Sequence, residues 1–122
     1  SDPLIAPQNS IDYYESVVSF FAANRNRTGA LRDVQNFYRL YMVPGMGHCG
    51  GGPGPTAVDM QAALEKWVEQ GTPPESVVTT RSLGVLNGVV DRSRPLCPYP
   101  KVAVYKGEGD TNDAVNFTCR ER

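Results

Sequence analysis

The feature that most constrains this chain is the stretch from Gly45 to Gly54, which holds six glycines in ten residues and the sequence's one histidine, His48. Glycine reaches backbone angles that other residues avoid, so such a run specifies a tight, non-regular loop rather than a helix or strand. Ahead of it lies an apolar run, Phe37 to Val43, filled with aromatic and branched residues and stopped by Pro44-Gly45. That composition predicts a buried strand. His48 is therefore expected on a loop at the end of a strand, with Cys49 directly after it.

The flanking segments suggest how the loop is framed. Ser10 is positioned to cap a helix over residues 11–24, with Ile11, Tyr14, Val17, Val18 and Phe21 along one face. Residues 24–28 read as a polar, basic turn ending at Gly29. After the loop, residues 57–70 suit a helix that turns Val58, Ala62, Leu64, Trp67 and Val68 to a core. Gly71 and then Pro73-Pro74 end it. Residues 75–81 are strand-like, residues 84–88 suit a turn in an irregular hairpin, and residues 102–105 form a short strand in a proline-rich tail. Tyr13, Tyr14, Phe37, Tyr38 and Trp67 fall on these elements and are expected in the core rather than on a substrate platform. Strand, glycine loop, helix and strand in that order indicate an α/β layer structure. So few strands and helices suggest the end of a larger domain.

Composition narrows the function. With 122 residues and a net charge of −1, the chain offers no basic patch for nucleic acid, and no apolar run is long enough to cross a membrane. Two sequons, at Asn26 and Asn116, fit surface glycans on a secreted protein. Three cysteines leave one over once any two pair. The opening at Ser1-Asp2-Pro3, without an initiator methionine, is expected of a processed product or a fragment.

A lone loop histidine is most often a surface or packing residue. The buried run before His48 and the glycines around it favour chemistry instead, since α/β-hydrolases take their general base from such a loop. A metal site would need more ligands than one histidine with Cys97 and Cys119 far along the chain. Cys49 as nucleophile is disfavoured, because adjacent side chains point apart. Asp2 has a plain reading as a solvated turn residue before proline. It also lies upstream of the histidine, where a hydrolase triad places its acid.

These residues resemble the tannase and feruloyl esterase family of serine hydrolases. The resemblance runs from Asp2-Pro3-Leu4-Ile5 and Ile11-Asp12-Tyr13-Tyr14, through Val43-Pro44-Gly45-Met46-Gly47-His48-Cys49-Gly50-Gly51-Gly52-Pro53. It continues in Arg94-Pro95-Leu96-Cys97-Pro98-Tyr99-Pro100, Tyr105–Asp110 and Asn116-Phe117-Thr118-Cys119. Bacterial hydrolases of mono(hydroxyethyl) terephthalate look similar over the same stretch. The resemblance implies Asp2 as triad acid, His48 as base, and Cys49 in a disulfide to a cysteine outside this chain, beside the serine nucleophile. It implies a second disulfide, Cys97 with Cys119. It also implies an α/β-hydrolase catalytic domain of which residues 1–122 are the C-terminal part, with a calcium-binding lid elsewhere and no cofactor or metal here. The expected activity is hydrolysis of aromatic acid esters outside the cell. The expected partner is the rest of the enzyme, which carries the serine and the lid. The rival expectation is a small secreted, non-catalytic binding or structural module held by Cys97–Cys119.

Overall fold

The computed structural model describes residues 2, 4–24, 26–83 and 88–121. Its first helix, α1, spans Pro7–Phe21 and begins three residues before the serine expected to cap it. Proline explains the earlier start, since its fixed φ suits the first helical turn and the N–H it lacks would go unpaired there anyway. A short 3-10 turn, Ala22–Asn24, follows, and the expected polar turn over 24–28 is replaced by helix α2, Arg27–Val34. Asn26 caps α2 by accepting the Gly29 N–H, so the sequence feature read as a turn is a helix start.

The two helices pack through Tyr14, Val18, Ala30 and Val34, all fully buried. Tyr14 and Val18 lie on the α1 face that the spacing indicates. Tyr14 meets Tyr38 and Tyr99 edge to face, with ring centroids 5.1 and 5.8 Å apart. The aromatic core is smaller than expected, because Tyr13 and Phe37 are 64% and 58% exposed.

The apolar run over 37–43 is not a strand. Its start is spent on the turn that ends α2, where Phe37 and Tyr38 donate to the Val34 carbonyl. The rest makes only isolated pairings among the described residues: Tyr41 bridges Pro98, and Tyr99 N–H donates to Leu40. Without a neighbouring ladder among the described residues, an extended segment is not a sheet strand.

After the glycine loop, Ala57–Val58 form strand β1, and helix α3 is limited to Met60–Gln70. Asp59 shortens the expected helix because its carboxylate caps the Ala62 N–H. Gly71 ends α3 in the left-handed conformation (φ +63°), as the sequence indicates. No residue of α3 is buried, so its apolar side does not face a core among the described residues.

Strand β2 (Val77–Leu83) pairs antiparallel with β1 and with β3 (Val89–Leu96), giving a three-stranded sheet in the order β1-β2-β3. The turn expected over 84–88 falls mostly outside the described residues. β4 (Val102–Tyr105) lies where the sequence places it and pairs antiparallel with β5 (Phe117–Arg120). Cys97 and Cys119 are disulfide-bonded, tying the end of β3 to β5. The result is a piece of helix and antiparallel sheet.

Candidate active site

The loop over 42–54 is closed by its own backbone. Gly54 N–H donates to the Gly45 carbonyl at 3.0 Å, and Gly47 N–H to Gly51 at 2.9 Å. Such closure leaves no space for side chains at Gly52 and Gly54. A Cβ at Gly52 would lie 2.3 Å from the Gly45 oxygen, and one at Gly54 would lie 2.1 Å from the Pro44 oxygen. Gly52 also sits at φ +92°. Cys49 adopts φ +58°, a left-handed conformation that few residues other than glycine take. The outer limb is anchored to the sheet: Gly54 and Pro55 are buried, and Thr56 N–H donates to Thr80 on β2.

This loop brings His48 to Asp2, 46 residues earlier, with Nδ1 and Oδ2 2.8 Å apart. Asp2 is itself oriented by its local turn. Its other oxygen, Oδ1, accepts the N–H groups of Leu4 (2.8 Å) and Ile5 (3.1 Å). Both carboxylate oxygens are thus engaged. The hydrogen bond to His48, then those to Leu4 and Ile5, lower the Asp2 pKa to about 2. An ionised carboxylate beside Nδ1 selects the tautomer protonated on that nitrogen. Nε2 is then the free lone pair, and among the described residues only Asp2 hydrogen-bonds the ring. The His48 side chain is 38% exposed, so the ring is not sealed from solvent.

The remaining candidates lie apart. Cys49 is an exposed free thiol next to His48. Asn26 is exposed but uses its side-chain oxygen as a helix cap. Asn116 is half-buried, and its amide nitrogen already donates to the Asp110 carbonyl at 2.9 Å. Among the described residues, no three of His, Cys, Asp and Glu are grouped to hold a metal ion. A cavity of about 470 Å³ opens at the loop's root, walled by Met42, Pro44, Arg94, Leu96 and Phe117, but neither His48 nor Asp2 lines it. Sequence reasoning does not single out Arg81, which touches the loop from the sheet at Pro53, or Asp91, which pairs with Arg81. Their opposite charges across a hairpin were the available signal.

A histidine with one ring nitrogen held by a carboxylate is the arrangement that hydrolase triads use for their base and acid. A family model described as tannase and feruloyl esterase matches residues 1–120. An uncharacterized esterase of Xanthomonas campestris is 42% identical, over 97% of this chain and 24% of its own length. The mono(2-hydroxyethyl) terephthalate hydrolase of Piscinibacter sakaiensis is 40% identical, over 98% of this chain and 18% of its own. The crystal structure of an esterase from Aspergillus oryzae matches with a TM-score of 0.82 at 30% identity, covering 98% of this chain and 25% of that one. The chain belongs to the tannase and feruloyl esterase family. It spans about a quarter or less of the length of these relatives.

Proposed function

We propose that residues 1–122 are the C-terminal part of an α/β-hydrolase catalytic domain. The domain hydrolyses esters of aromatic acids by a Ser-His-Asp mechanism, with the serine outside these residues. The observation that carries the reading is the contact between Asp2 Oδ2 and His48 Nδ1, which leaves Nε2 open. The short span relative to the family's members supports a nucleophile supplied by the remaining polypeptide.

In this mechanism Nε2 takes the serine hydroxyl proton as the oxygen attacks the ester carbonyl. The imidazolium then gives that proton to the departing alcohol oxygen, leaving an acyl-enzyme. Water, deprotonated by the same nitrogen, releases the acid. Asp2 stays ionised and stabilises the imidazolium in both halves. Family resemblance assigns Cys49 a disulfide to a cysteine preceding the serine, which would tether base and nucleophile. Family resemblance implies a calcium ion in a lid outside these residues, and no step here passes through it. The Cys97–Cys119 disulfide favours an extracellular setting, with Asn26 the more accessible of the two glycan candidates. Similarity to esterases over nearly the whole chain favours this reading over a non-catalytic module.

The test is His48→Ala in the intact enzyme, assayed on an aryl ester. Turnover should fall by about 10⁴-fold or more, with the circular dichroism spectrum unchanged. Near-parental turnover refutes the assignment.

A further inference from the structure

A catalytic base must be held to within a fraction of an ångström, and a partly exposed loop is a poor platform for that. Among the described residues, a side chain of the sheet reaches the loop's outer limb. Arg81, on β2, donates from Nη1 to the Pro53 carbonyl at 3.0 Å. The other face of its guanidinium is taken by Asp91 on β3. Nε lies 3.1 Å from both carboxylate oxygens, and Nη2 hydrogen-bonds Oδ2. One planar group therefore joins the sheet to the loop, with its orientation set by a forked ion pair.

The strand register explains how Asp91 comes to be there. Arg81 is opposite Arg92, but Ser82 is opposite Val90, so Asp91 is the extra residue of a bulge. Bulges twist the strand and re-aim a side chain. Here the re-aimed carboxylate meets Arg81. The pair is mutually stabilising: each hydrogen-bonds the other's charged form, which lowers the Asp91 pKa and raises that of Arg81. On the loop side, Pro53 lies between Gly52 and Gly54, the two residues packed against the Gly45 and Pro44 carbonyls. Fixing the Pro53 carbonyl thus fixes the limb against which the Gly45–His48 limb closes.

We infer that Arg81, oriented by Asp91, is a positioning residue for His48, holding the glycine loop so that Nε2 is presented at one place. This rests on the reading of His48 as the general base. A displacement of about 1 Å in such a base can cost about 10²-fold in rate. Arg81→Ala in the intact enzyme should therefore lower kcat by about 10²-fold while KM stays within about twofold. Arg81→Lys keeps the charge and the stem but cannot serve Asp91 and Pro53 together, so it should recover about tenfold of the loss. The lysine variant also serves if the alanine variant fails to fold.

A role confined to general stability is separated by a double mutant. If Arg81 acts through His48, adding Arg81→Ala to His48→Ala should change the residual rate by less than about twofold. Parental kcat in both Arg81 variants, with His48→Ala inactive, refutes the positioning role alone. An Arg81→Ala loss that recurs in full on the His48→Ala background also refutes it. Full activity in His48→Ala overturns the proposed function and this inference with it.

Discussion

Replacing Asp2 by asparagine exchanges one carboxylate oxygen for an amino group, and the surroundings decide which. Oδ1 accepts two backbone N–H groups, from Leu4 and Ile5. An amide nitrogen placed there would face two donors and forfeit both bonds. Keeping both bonds favours the orientation that leaves the oxygen there. The nitrogen must then occupy the Oδ2 position, 2.8 Å from His48 Nδ1. A donor at that place demands a lone pair on Nδ1 and so moves the imidazole proton to Nε2, the nitrogen required to accept one. Asp2→Asn should therefore lower kcat by about 10⁴-fold with little change in KM, the scale set by the same exchange in other serine triads. The assay is steady-state hydrolysis of an aryl ester by the intact enzyme over about pH 6 to 9. The Asp2 pKa is lowered to about 2, so its bond to His48 is fully present above the unfolded value near 3.8 and is lost only as pH falls through about 2. No ionisation of Asp2 confuses the assay range. A kcat within about tenfold of the parent would refute the tautomer argument.

Two further perturbations test the frame around the site. The Cys97–Cys119 disulfide closes a span of 22 residues, and removing it with a Cys97→Ala/Cys119→Ala pair should cost about 3 kcal/mol of stability. A denaturation series on the intact enzyme measures this, and a loss under about 1 kcal/mol would show that β3 and β5 hold together without the bond. Gly52→Ala puts a methyl group 2.3 Å from the Gly45 oxygen at φ +92° and should open the loop, lowering kcat and costing at least about 1–2 kcal/mol from the backbone angle alone. Unchanged melting temperature and kcat would show that the loop closes differently.

Elements whose partners lie close along the chain are the ones that the residue pattern reports well. The α1 face with Tyr14 and Val18 is legible because α2 follows at once and covers it. Residues 102–105 and the stop at Gly71 are legible for the same local reason. Apolar patterns elsewhere mislead about structure. Residues 37–43 are rich in strand formers, yet a strand needs a paired neighbour, and among the described residues only Leu40 and Tyr41 find one, at Tyr99 and Pro98. In α3 the apolar spacing is genuine, but Leu64 and Val68 remain 57% and 75% exposed. Periodicity records that a face is apolar, not what covers it. β5 is not marked in the sequence, because Phe117–Arg120 has no alternation strong enough to show it. Of the site, His48 and its glycines are visible in sequence. The pairing of His48 with Asp2 came from hydrolase order and family resemblance, since no local pattern reports a contact across 46 residues.

The glycine density is open to two opposed readings, and the contacts decide between them. Glycine loses the most conformational freedom on ordering, so a run of six glycines would ordinarily make a loose loop. A loose loop would be a poor carrier for a base. Here, however, Gly52 and Gly54 lie where any side chain would collide with the Gly45 and Pro44 carbonyls. Their lack of a side chain is what allows the two limbs to touch and form the Gly54–Gly45 bond. The entropy lost in ordering the loop is offset by that closure and by the Arg81 bond to Pro53. The glycines therefore make the loop compact rather than mobile. Rigidity at His48 then depends on contacts that reach the loop from outside, Asp2 on one side and Arg81 on the other.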